Sequence, residues 1–227
     1  MKIIAIIPAL NEATRIGHVV EEAKQYAEEV IVVDDGSTDG TGDVAAEAGA
    51  RVIRHPENGG AGAATMTGIF AARELGADAV VTLDADEQHD PHDIPDLLAP
   101  ILAGTADIAF ANRFAEVKGK PRNNIPTVRR VFNGLGNIVT LLATGKWVSD
   151  SQCGFKVLGP RALKEIHLRM RGFEFCTEIV RECAQNRWRV AEVPAKVMYS
   201  AYTLAKGQSF AMGVKTALKI LLRSFLR

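Results

Sequence analysis

Two aspartates with one residue between them, Asp84 and Asp86, follow an apolar run at residues 79–83 of a 227-residue chain. At the end of a strand, residues i and i+2 point to the same side, so both carboxylates would present their oxygens together. Hard oxygen ligands suit Mg²⁺ or Mn²⁺, which commonly bind one or two carboxylates plus phosphate oxygens of a substrate. A metal held there would act as a Lewis acid on a departing diphosphate. The pattern therefore predicts metal-assisted transfer from a phosphate-bearing substrate.

The D-x-D pattern alone is weak, because acidic pairs are also common in turns. Gln88 and His89 follow closely, and two further polar clusters, at residues 11–12 and 34–35, each stand after another apolar run. Turn formation and helix capping account for the small polar residues at 36–41. They account poorly for the adjacent carboxylates at 34–35, which repel each other unless a ligand donates hydrogen bonds. A base or a ribose hydroxyl would be such a donor.

Short apolar runs alternate along the chain with segments of helical periodicity. Strands are predicted at residues 3–7, 30–33, 51–53, 79–83 and 108–111. Helices are predicted at residues 12–26, 40–48, 61–75 and 95–103. This alternation predicts an α/β fold with right-handed βαβ crossovers and a mainly parallel central sheet flanked by helices. The acidic clusters then lie beyond the carboxyl ends of the strands, where parallel sheets bind ligands.

The regular alternation ends near Arg113, and residues 116–126 form a polar stretch with two prolines that is typical of a loop. Further helices are predicted at residues 127–142 and 173–185, and further strands at residues 156–158 and 189–193. Because no linker rich in Gly, Ser or Pro divides the chain, we expect one domain at residues 1–208 with a helical extension at residues 209–227.

The composition is that of an ordinary soluble globular protein, with 47% hydrophobic and 24% charged residues. Lys+Arg and Asp+Glu number 27 each, so the net charge is zero and nothing in the total points to nucleic acid. Three cysteines without a C-x-x-C pair fit a reducing compartment. We find no secretory signal and no run of about 18 apolar residues. We therefore expect a cytoplasmic protein, or one bound peripherally to the cytosolic face of a membrane.

The C-terminal segment is basic, since no acidic residue follows Glu192. Within residues 209–227, four basic residues recur at every fourth position: Lys215, Lys219, Arg223 and Arg227. Apolar residues occupy the neighbouring face, which predicts a basic amphipathic helix. Such a helix either lies in a membrane interface, with its cations on anionic headgroups, or packs on its own core or on a second subunit of a homo-oligomer. Both interpretations stay open.

Glycines cluster at residues 58–62, in the order Asn-Gly-Gly-Ala-Gly. This is a poor dinucleotide fingerprint, because it lacks the third glycine and follows the third strand instead of the first, which argues against a dehydrogenase. A glycine-rich turn that enters a helix still lets the backbone approach a ligand closely. A plain turn and a ligand contact are equally open at this point.

Five motifs, taken in order, resemble those of family 2 glycosyltransferases. They are Pro8-Ala9-Leu10-Asn11-Glu12, Asp34–Thr41, Asn58-Gly59-Gly60, Asp84-x-Asp86-x-Gln88-His89 and Asp150-Ser151-Gln152-Cys153-Gly154-Phe155. Over roughly its first 180 residues the chain resembles the polyprenyl-phosphate branch, which includes dolichyl-phosphate mannose synthase. The resemblance implies a GT-A fold, a GDP- or UDP-sugar donor, a divalent Mg²⁺ or Mn²⁺ ion and inversion at the anomeric carbon.

The resemblance also implies roles for single residues. Those expected in the nucleotide pocket are Pro8, Leu10, Glu12, Val33, Asp35, Asp84 and Ala85, with Val33 and Asp35 at the base and ribose. Asp84 and Asp86 would address the metal and the donor, and Gln88 would support this metal group. Arg113 would lie near the diphosphate. Asp150 and Gln152 stand where the family has its acceptor-side motif.

The acceptor remains open between a polyprenyl phosphate and a glycan. A polyprenyl phosphate is anionic at neutral pH and needs no general base, so the protein supplies alignment and charge stabilisation. A saccharide hydroxyl needs a carboxylate to remove its proton, for which the candidates are Glu174, Glu178 and Asp150. Residues 204–210 lack the arginine and the final lysine of the R-x-x-G-x-S-K element found in many synthases of the branch. The sugar is therefore undecided.

Two other classes share some of these features. A nucleotidyltransferase would share the sheet and the carboxylates, but it usually has a glycine-rich loop after its first strand, where this chain has Pro8-Ala9-Leu10-Asn11. A non-catalytic nucleotide-sugar binding module is expected to have lost one carboxylate of the D-x-D pair, and both are present. The sequence thus favours a catalytic glycosyltransferase.

Overall fold

A seven-stranded sheet with helices on both faces organises residues 1–115 and 125–198, the parts of the chain that the computed structural model describes. The strands are β1 Ile3–Ala9, β2 Glu29–Asp34, β3 Arg51–Arg54, β4 Ala79–Thr82, β5 Ile108–Asn112, β6 Lys156–Leu158 and β7 Val190–Pro194. Their order across the sheet is β3-β2-β1-β4-β6-β5-β7. Neighbouring strands are parallel except that β6 is antiparallel to β4 and β5. The predicted mainly parallel α/β fold is confirmed.

The helices occupy the connections between these strands. They are α1 Ile16–Ala23, α2 Thr41–Glu47, α3 Ala61–Glu74, α4 Ile94–Leu102, α5 Thr127–Thr144, α6 Pro160–Glu165 and α7 Phe175–Gln185, with a 3₁₀ turn at Pro91–Asp93 before α4. Among the described residues, no helix combines the length and the apolar composition that crossing a bilayer requires.

Strand β1 shows how the sheet separates two apolar layers. Ala5 and Ile7 pack with residues of α1, α2 and α4 on one face. Ile4 and Ile6 pack with residues of α3, α6 and α7 on the other face. All four side chains are fully buried. Burial on both faces is the physical reason that the strand is continuously apolar and not alternating.

Three features differ from the sequence-based expectation. Helix α1 begins at Ile16, later than predicted, because the backbone before it is hydrogen-bonded to the loop after β2. Helix α6 was not predicted; it is a short helix that starts at a proline in its first turn. The antiparallel direction of β6 was not predicted either, because strand direction depends on tertiary pairing and not on local sequence.

The domain division at residue 208 and the predicted C-terminal helix at 209–227 lie outside the described residues. The same is true of residues 116–124 of the predicted loop. These expectations stay predictions.

A close contact between α3 and β1 gives a stability prediction. A Cβ atom at Gly68 of α3 would overlap Cγ2 of Ile6, whereas a Cβ atom at Gly134 of α5 would meet nothing within 4 Å. Gly68→Ala should therefore lower the free energy of unfolding by about 1–3 kcal/mol through overpacking. The matched change Gly134→Ala should raise it by up to about 1 kcal/mol, because alanine favours a helix over glycine. Urea unfolding would measure both, and equal effects would contradict the packing described.

Candidate active site

The loops after β1 and β2 are fastened to each other by hydrogen bonds at the carboxyl edge of the sheet. The backbone N–H of Asn11 donates to Oγ of Ser37 at 2.9 Å, and that of Glu12 donates to Oγ1 of Thr41 at 2.8 Å. The N–H of Ala13 donates to a carboxylate oxygen of Asp39 at 3.1 Å. These bonds place Glu12, which is buried, beside the β2 loop. Both loops predicted to hold a nucleotide therefore meet in one place.

The adjacent aspartates at the end of β2 have separate partners within the protein. Asp35 accepts from the N–H groups of Gly59 and Gly60 at 2.9 and 2.8 Å, and one of its oxygens lies 2.6 Å from Nδ1 of His55. Asp34 accepts from the N–H of Ser37 at 3.0 Å. The premise that only a ligand could relieve their repulsion is wrong, because these groups already satisfy the carboxylates.

The glycine cluster before α3 is explained by close approach of another loop. Cβ atoms at Gly60 and Gly62 would overlap the carbonyl oxygens of Arg171 and Met170, respectively. The carbonyl of Arg171 accepts from the N–H groups of Gly62 and Ala63 at 2.7 and 3.3 Å. Because Asp35 and Arg171 already occupy these donors, the structure favours a structural turn over a ligand-binding loop here.

Asp84, after β4, extends its carboxylate at the sheet edge. Its side chain is 48% exposed. Gly154 lies against it so closely that a Cβ atom at this position would overlap the carboxylate. Oγ1 of Thr82 donates to the carbonyl of Gly154 at 2.8 Å and fixes this approach. The glycine of the acceptor-side motif is therefore needed to make room for Asp84.

Asp86 is half-buried and is held by Gln88. The backbone N–H and the side-chain amide of Gln88 donate to its two oxygens at 3.1 and 2.8 Å. Burial, followed by the nearby charge of Asp84, raises the pKa of Asp86 above its ordinary value. Gln88 thus supports the carboxylate of Asp86, and its predicted place in the metal group stays a prediction.

His89 is a buried member of this edge. Its Nδ1 atom has no hydrogen-bond partner among the described residues and lies 3.5 Å from a carboxylate oxygen of Asp84. Its Nε2 atom lies 3.5 Å from Sγ of Cys153. Burial by itself would lower the pKa of His89, but its interactions with Cys153 and Asp84 outweigh burial and raise the pKa to about 9. The sequence analysis assigned His89 no function of its own and noted it only as part of the motif that contains Asp84 and Asp86.

The two carboxylates fit a divalent cation that a phosphate completes. No group of three or more His, Cys, Asp or Glu in the described parts of the chain could hold a metal unaided. Mg²⁺ and related ions, however, often use one or two carboxylates together with substrate phosphates. Burial and, after it, repulsion from Asp84 raise the pKa of Asp86, and a cation would relieve the repulsion.

Arg113, directly after β5, forms a buried ion pair with Asp150. Its Nε and one terminal nitrogen donate to the two carboxylate oxygens, each at 2.7 Å. Its backbone N–H also donates to Asp150, at 3.0 Å. The sequence placed both residues at the site, but it did not predict that they pair. The pairing makes Asp150 unsuitable as a general base, because a guanidinium occupies both of its oxygens.

Helix α5 holds the loop that carries Asp150. Nδ2 of Asn137 donates to the carbonyl of Ser149 at 2.6 Å, and Oδ1 of the same residue accepts from the N–H of Ser151 at 3.1 Å. Nε2 of Gln152 donates to Oγ1 of Thr140 at 3.2 Å. The side chain of Gln152 therefore stabilises the loop that contains it, and the inner face of α5 sets the position of the acceptor-side motif.

Three predicted site residues have side chains that are not available to a substrate. Glu178 is buried and accepts from the N–H groups of Arg169 and Met170 at 2.9 and 2.8 Å, so it holds backbone and is not placed to act as a base. Val33 and Ala85 are buried in the two core layers. Their side chains cannot contact a nucleotide, and only backbone contacts remain for them.

Lys156 is a buried charge that the sequence analysis missed. Its Nζ donates to the carbonyl of Cys153 and lies 5.4 and 5.9 Å from the ring centroids of Phe110 and Phe175. The ammonium group is thus stabilised by a carbonyl and by aromatic faces. No local signal reveals this, because a lysine in a three-residue strand at 156–158 is ordinary until the strand is known to be central.

A mainly parallel sheet with these carboxylates at its edge defines a glycosyltransferase domain of the GT-A type. Comparison with known families makes the assignment specific: the chain belongs to Glycosyl transferase family 2, whose model matches residues 4–166. The prediction that it is a transferase enzyme is thereby confirmed.

Several relatives carry names that describe lipid-linked sugar transfer. The chain is 33% identical to a UDP-N-acetylglucosamine–dolichyl-phosphate N-acetylglucosaminyltransferase of Methanococcus voltae, over 96% of this chain and 94% of the relative. It is 29% identical to an undecaprenyl-phosphate mannosyltransferase of Micrococcus luteus, over 86% of this chain and 82% of the relative. It is 32% identical to a dolichol-phosphate mannosyltransferase of Pyrococcus furiosus, over 86% of this chain and 56% of the relative.

Among solved structures, glucosyl-3-phosphoglycerate synthase of Mycobacterium tuberculosis has a similar fold. Its complex with phosphoglyceric acid superposes with a TM-score of 0.72 at 21% identity, covering 98% of this chain and 79% of that one. A complex of the same enzyme with Mn²⁺, UDP and glucosyl-3-phosphoglycerate gives a TM-score of 0.69 at 20% identity, covering 98% of this chain and 79% of that one. At this identity the similarity establishes the fold.

Breaking the Arg113–Asp150 pair should destabilise the protein. Removing one member of a buried ion pair leaves an uncompensated charge and costs about 3–5 kcal/mol. We expect Arg113→Met and Asp150→Asn each to lower the free energy of unfolding in this range, and the double variant to lose less than the sum of the two. Urea unfolding of all four proteins closes the cycle. Additive losses would show that the pair is not coupled.

Asp86 gives a pH-dependent prediction. Because its folded-state pKa is raised, the folded chain binds this proton more tightly than the unfolded chain does. The contribution of Asp86 to stability therefore falls as the pH rises above 3.8, the ordinary pKa of an aspartate. Asp86→Asn cannot ionise, so without metal it should be at least as stable as the parent at about pH 7, with the difference shrinking toward about pH 4.

Thermal unfolding across this pH range measures the Asp86→Asn difference. Asp96→Asn, at an exposed position on α4, is the matched control and should change little. A destabilisation by Asp86→Asn that is independent of pH would contradict the prediction.

Proposed function

We propose that this enzyme transfers a sugar from a GDP- or UDP-sugar to a polyprenyl phosphate, with inversion at the anomeric carbon and with a divalent Mg²⁺ or Mn²⁺ ion. The names of the relatives support this acceptor class, since they describe dolichyl and undecaprenyl phosphates. A nucleotide and a metal are supported by the fold neighbour in complex with UDP and Mn²⁺.

The burial of the candidate bases, and the hydrogen bonds that Asp150 and Glu178 already accept, are the observation on which the choice of acceptor rests. Asp150 is bound by Arg113 through both oxygens, and Glu178 is buried against backbone N–H groups. Glu174, the third candidate, is buried as well. Transfer to a saccharide hydroxyl requires a carboxylate that can take a proton. A phosphate acceptor requires none, so it is the acceptor that this set of residues suits.

The reaction follows from these positions. An oxygen of the lipid phosphate attacks the anomeric carbon and forms the new C–O bond as the bond to the nucleoside diphosphate breaks, without a proton transfer. Asp84 and Asp86 would hold the cation, which when bound offsets the charge of the departing diphosphate. Asp150 fixes the direction of the Arg113 guanidinium, and a preorganised cation at this place stabilises negative charge without rearrangement.

The nucleotide would lie over the interlocked loops after β1 and β2. Pro8 and Leu10 are only partly buried there, which leaves them accessible to a base. Glu12 and Asp35 are buried in the same two loops, and Asp35 is oriented by Gly59 and Gly60. These contacts, together with Ala85 and Val33 through their backbones, form the proposed donor pocket.

Donor turnover by the full chain tests the proposal. With Mn²⁺ present, UDP- and GDP-sugars are supplied with and without a short polyprenyl phosphate, and sugar-linked lipid is quantified. We expect lipid-dependent transfer from one donor and a loss of at least about 100-fold in kcat/KM for Asp86→Ala, which removes a charge that acts on the leaving group. Asp96→Asn should retain full activity.

Glu178→Gln separates the two acceptor classes. Because Glu178 is assigned a structural role, this variant should lose stability but keep its turnover per folded molecule. Loss of turnover at full folding, together with transfer to a free saccharide, would overturn the lipid-phosphate assignment in favour of a glycan acceptor. If the protein binds a donor and transfers to neither acceptor, a nucleotide-sugar binding module replaces the enzyme.

A further inference from the structure

His55, directly after β3, is a mostly buried histidine to which the proposed reaction gives no role. Its side chain is 18% exposed, and its Nδ1 atom lies 2.6 Å from Oδ1 of Asp35. Its Nε2 atom lies 3.0 Å from Oγ1 of Thr67 on α3. Because an ionised carboxylate only accepts hydrogen bonds, Nδ1 carries a proton and donates to Asp35. The ring therefore connects α3 to a residue of the proposed donor pocket.

Backbone contacts fix the imidazole and the carboxylate relative to each other. The N–H of His55 donates to the carbonyl of Asp34 at 2.9 Å, and the N–H of Asp35 donates to the last carbonyl of β1 at 2.8 Å. A Cβ atom at Gly36 would overlap the backbone of Glu57, so the loop after β3 packs tightly against the loop after β2. The backbone thus holds both partners of this hydrogen bond in place.

The carboxylate of Asp35 has one acceptor position left. Its two oxygens together can accept about four hydrogen bonds. Oδ1 already accepts from Nδ1 of His55 and from the N–H of Gly59, at 2.6 and 2.9 Å. Oδ2 accepts from the N–H of Gly60 at 2.8 Å. Groups in the described parts of the chain therefore take both positions of Oδ1 and one of Oδ2, and the open position is on Oδ2.

The nucleobases of the two candidate donors differ in the number of hydrogen-bond donors that they present. Uracil has a single ring N–H, at N3, between two carbonyl oxygens. Guanine has two donors side by side, the ring N1–H and the exocyclic N2 amino group. A carboxylate with one open position pairs fully with uracil, whereas guanine would leave one N–H without a partner. A polar group left unpaired in a buried site lowers affinity.

We propose that His55 is a specificity-determining residue, and that it makes this enzyme select a UDP-sugar over a GDP-sugar. It occupies one acceptor position of Asp35, so that only Oδ2 is left to receive the N3–H of uracil. The inference deepens the proposed function, on which it rests for the presence of a nucleotide at Asp35. Thr67 is a positioning residue in this arrangement, because its hydroxyl acts through the imidazole ring.

A purely structural role for His55 makes a different prediction about the two nucleotides. If the imidazole only held the fold, its loss would weaken UDP and GDP binding equally and leave the ratio of the two dissociation constants unchanged. If it sets the number of open acceptors, its loss returns one position to Asp35, which the two-donor edge of guanine can use. The ratio of the dissociation constants therefore separates the two roles.

Isothermal titration calorimetry of the full chain with Mn²⁺ and either UDP or GDP measures this ratio. We expect the parent to bind UDP at least about 10-fold more tightly than GDP, since one buried donor of guanine stays unpaired. His55→Ala should reduce that preference at least about fivefold, because the acceptor position is returned. His55→Asn should keep the preference, because an asparagine amide can donate to Asp35 from near the place of Nδ1.

Thr67→Val is the matched control. It removes a hydrogen bond from the same ring but leaves the bond from Nδ1 to Asp35 in place, so it should keep the preference of the parent. Tm is measured on the same samples. Because both nucleotides are titrated into one preparation of each variant, a smaller folded fraction affects UDP and GDP equally and cancels in the ratio.

Three results would overturn the inference. The first is equal or tighter binding of GDP by the parent, the second is an unchanged ratio in His55→Ala, and the third is an equal fall of the ratio in Thr67→Val. Binding of neither nucleotide would refute the proposed donor as well. A parent that selects UDP but transfers no sugar to a polyprenyl phosphate would refute the proposed function and leave the base selection in place. Transfer to that lipid from a GDP-sugar in preference to a UDP-sugar would refute the base selection alone.

Discussion

Concentration of carboxylates at one edge of a parallel sheet is the constraint on which the rest of this structure depends. Asp35 accepts hydrogen bonds from backbone N–H groups and lies beside His55, and Asp150 is paired with a guanidinium. The D-x-D pair is less well compensated: Asp86 accepts two hydrogen bonds from Gln88, and burial together with the charge of Asp84 raises its pKa. A cation bound at this edge would therefore gain most at the D-x-D pair.

The loop after α5 joins the two halves of the site. Gly154 makes room for Asp84, and Asp150 of the same loop orients Arg113. The backbone of this loop is in turn held by Asn137 of α5 and by the buried ammonium of Lys156. A change in any of these supports would shift Asp84 and Arg113 together, because both contact one short segment of chain.

The family relationship and the local geometry answer different questions. Family membership establishes glycosyl transfer, and similarity to glucosyl-3-phosphoglycerate synthase at 21% identity establishes the fold. Neither distinguishes a phosphate acceptor from a hydroxyl in this chain. The distinction rests on the hydrogen bonds of Asp150 and Glu178, which leave neither carboxylate placed to remove a proton.

The sequence by itself determined the strands, the mainly parallel sheet and the location of the acidic loops, because these follow from local apolar runs and from the geometry of βαβ units. It also predicted Asp84, Asp86 and Arg113 as site residues, through the motifs of the family resemblance. Only the tertiary structure decided which carboxylates already have donors, that β6 runs antiparallel, and that Lys156 is buried. The exposure of apolar side chains on the outer face of α5 was likewise decided only by the tertiary structure. Each of these depends on partners distant in the chain, and local sequence does not contain that information.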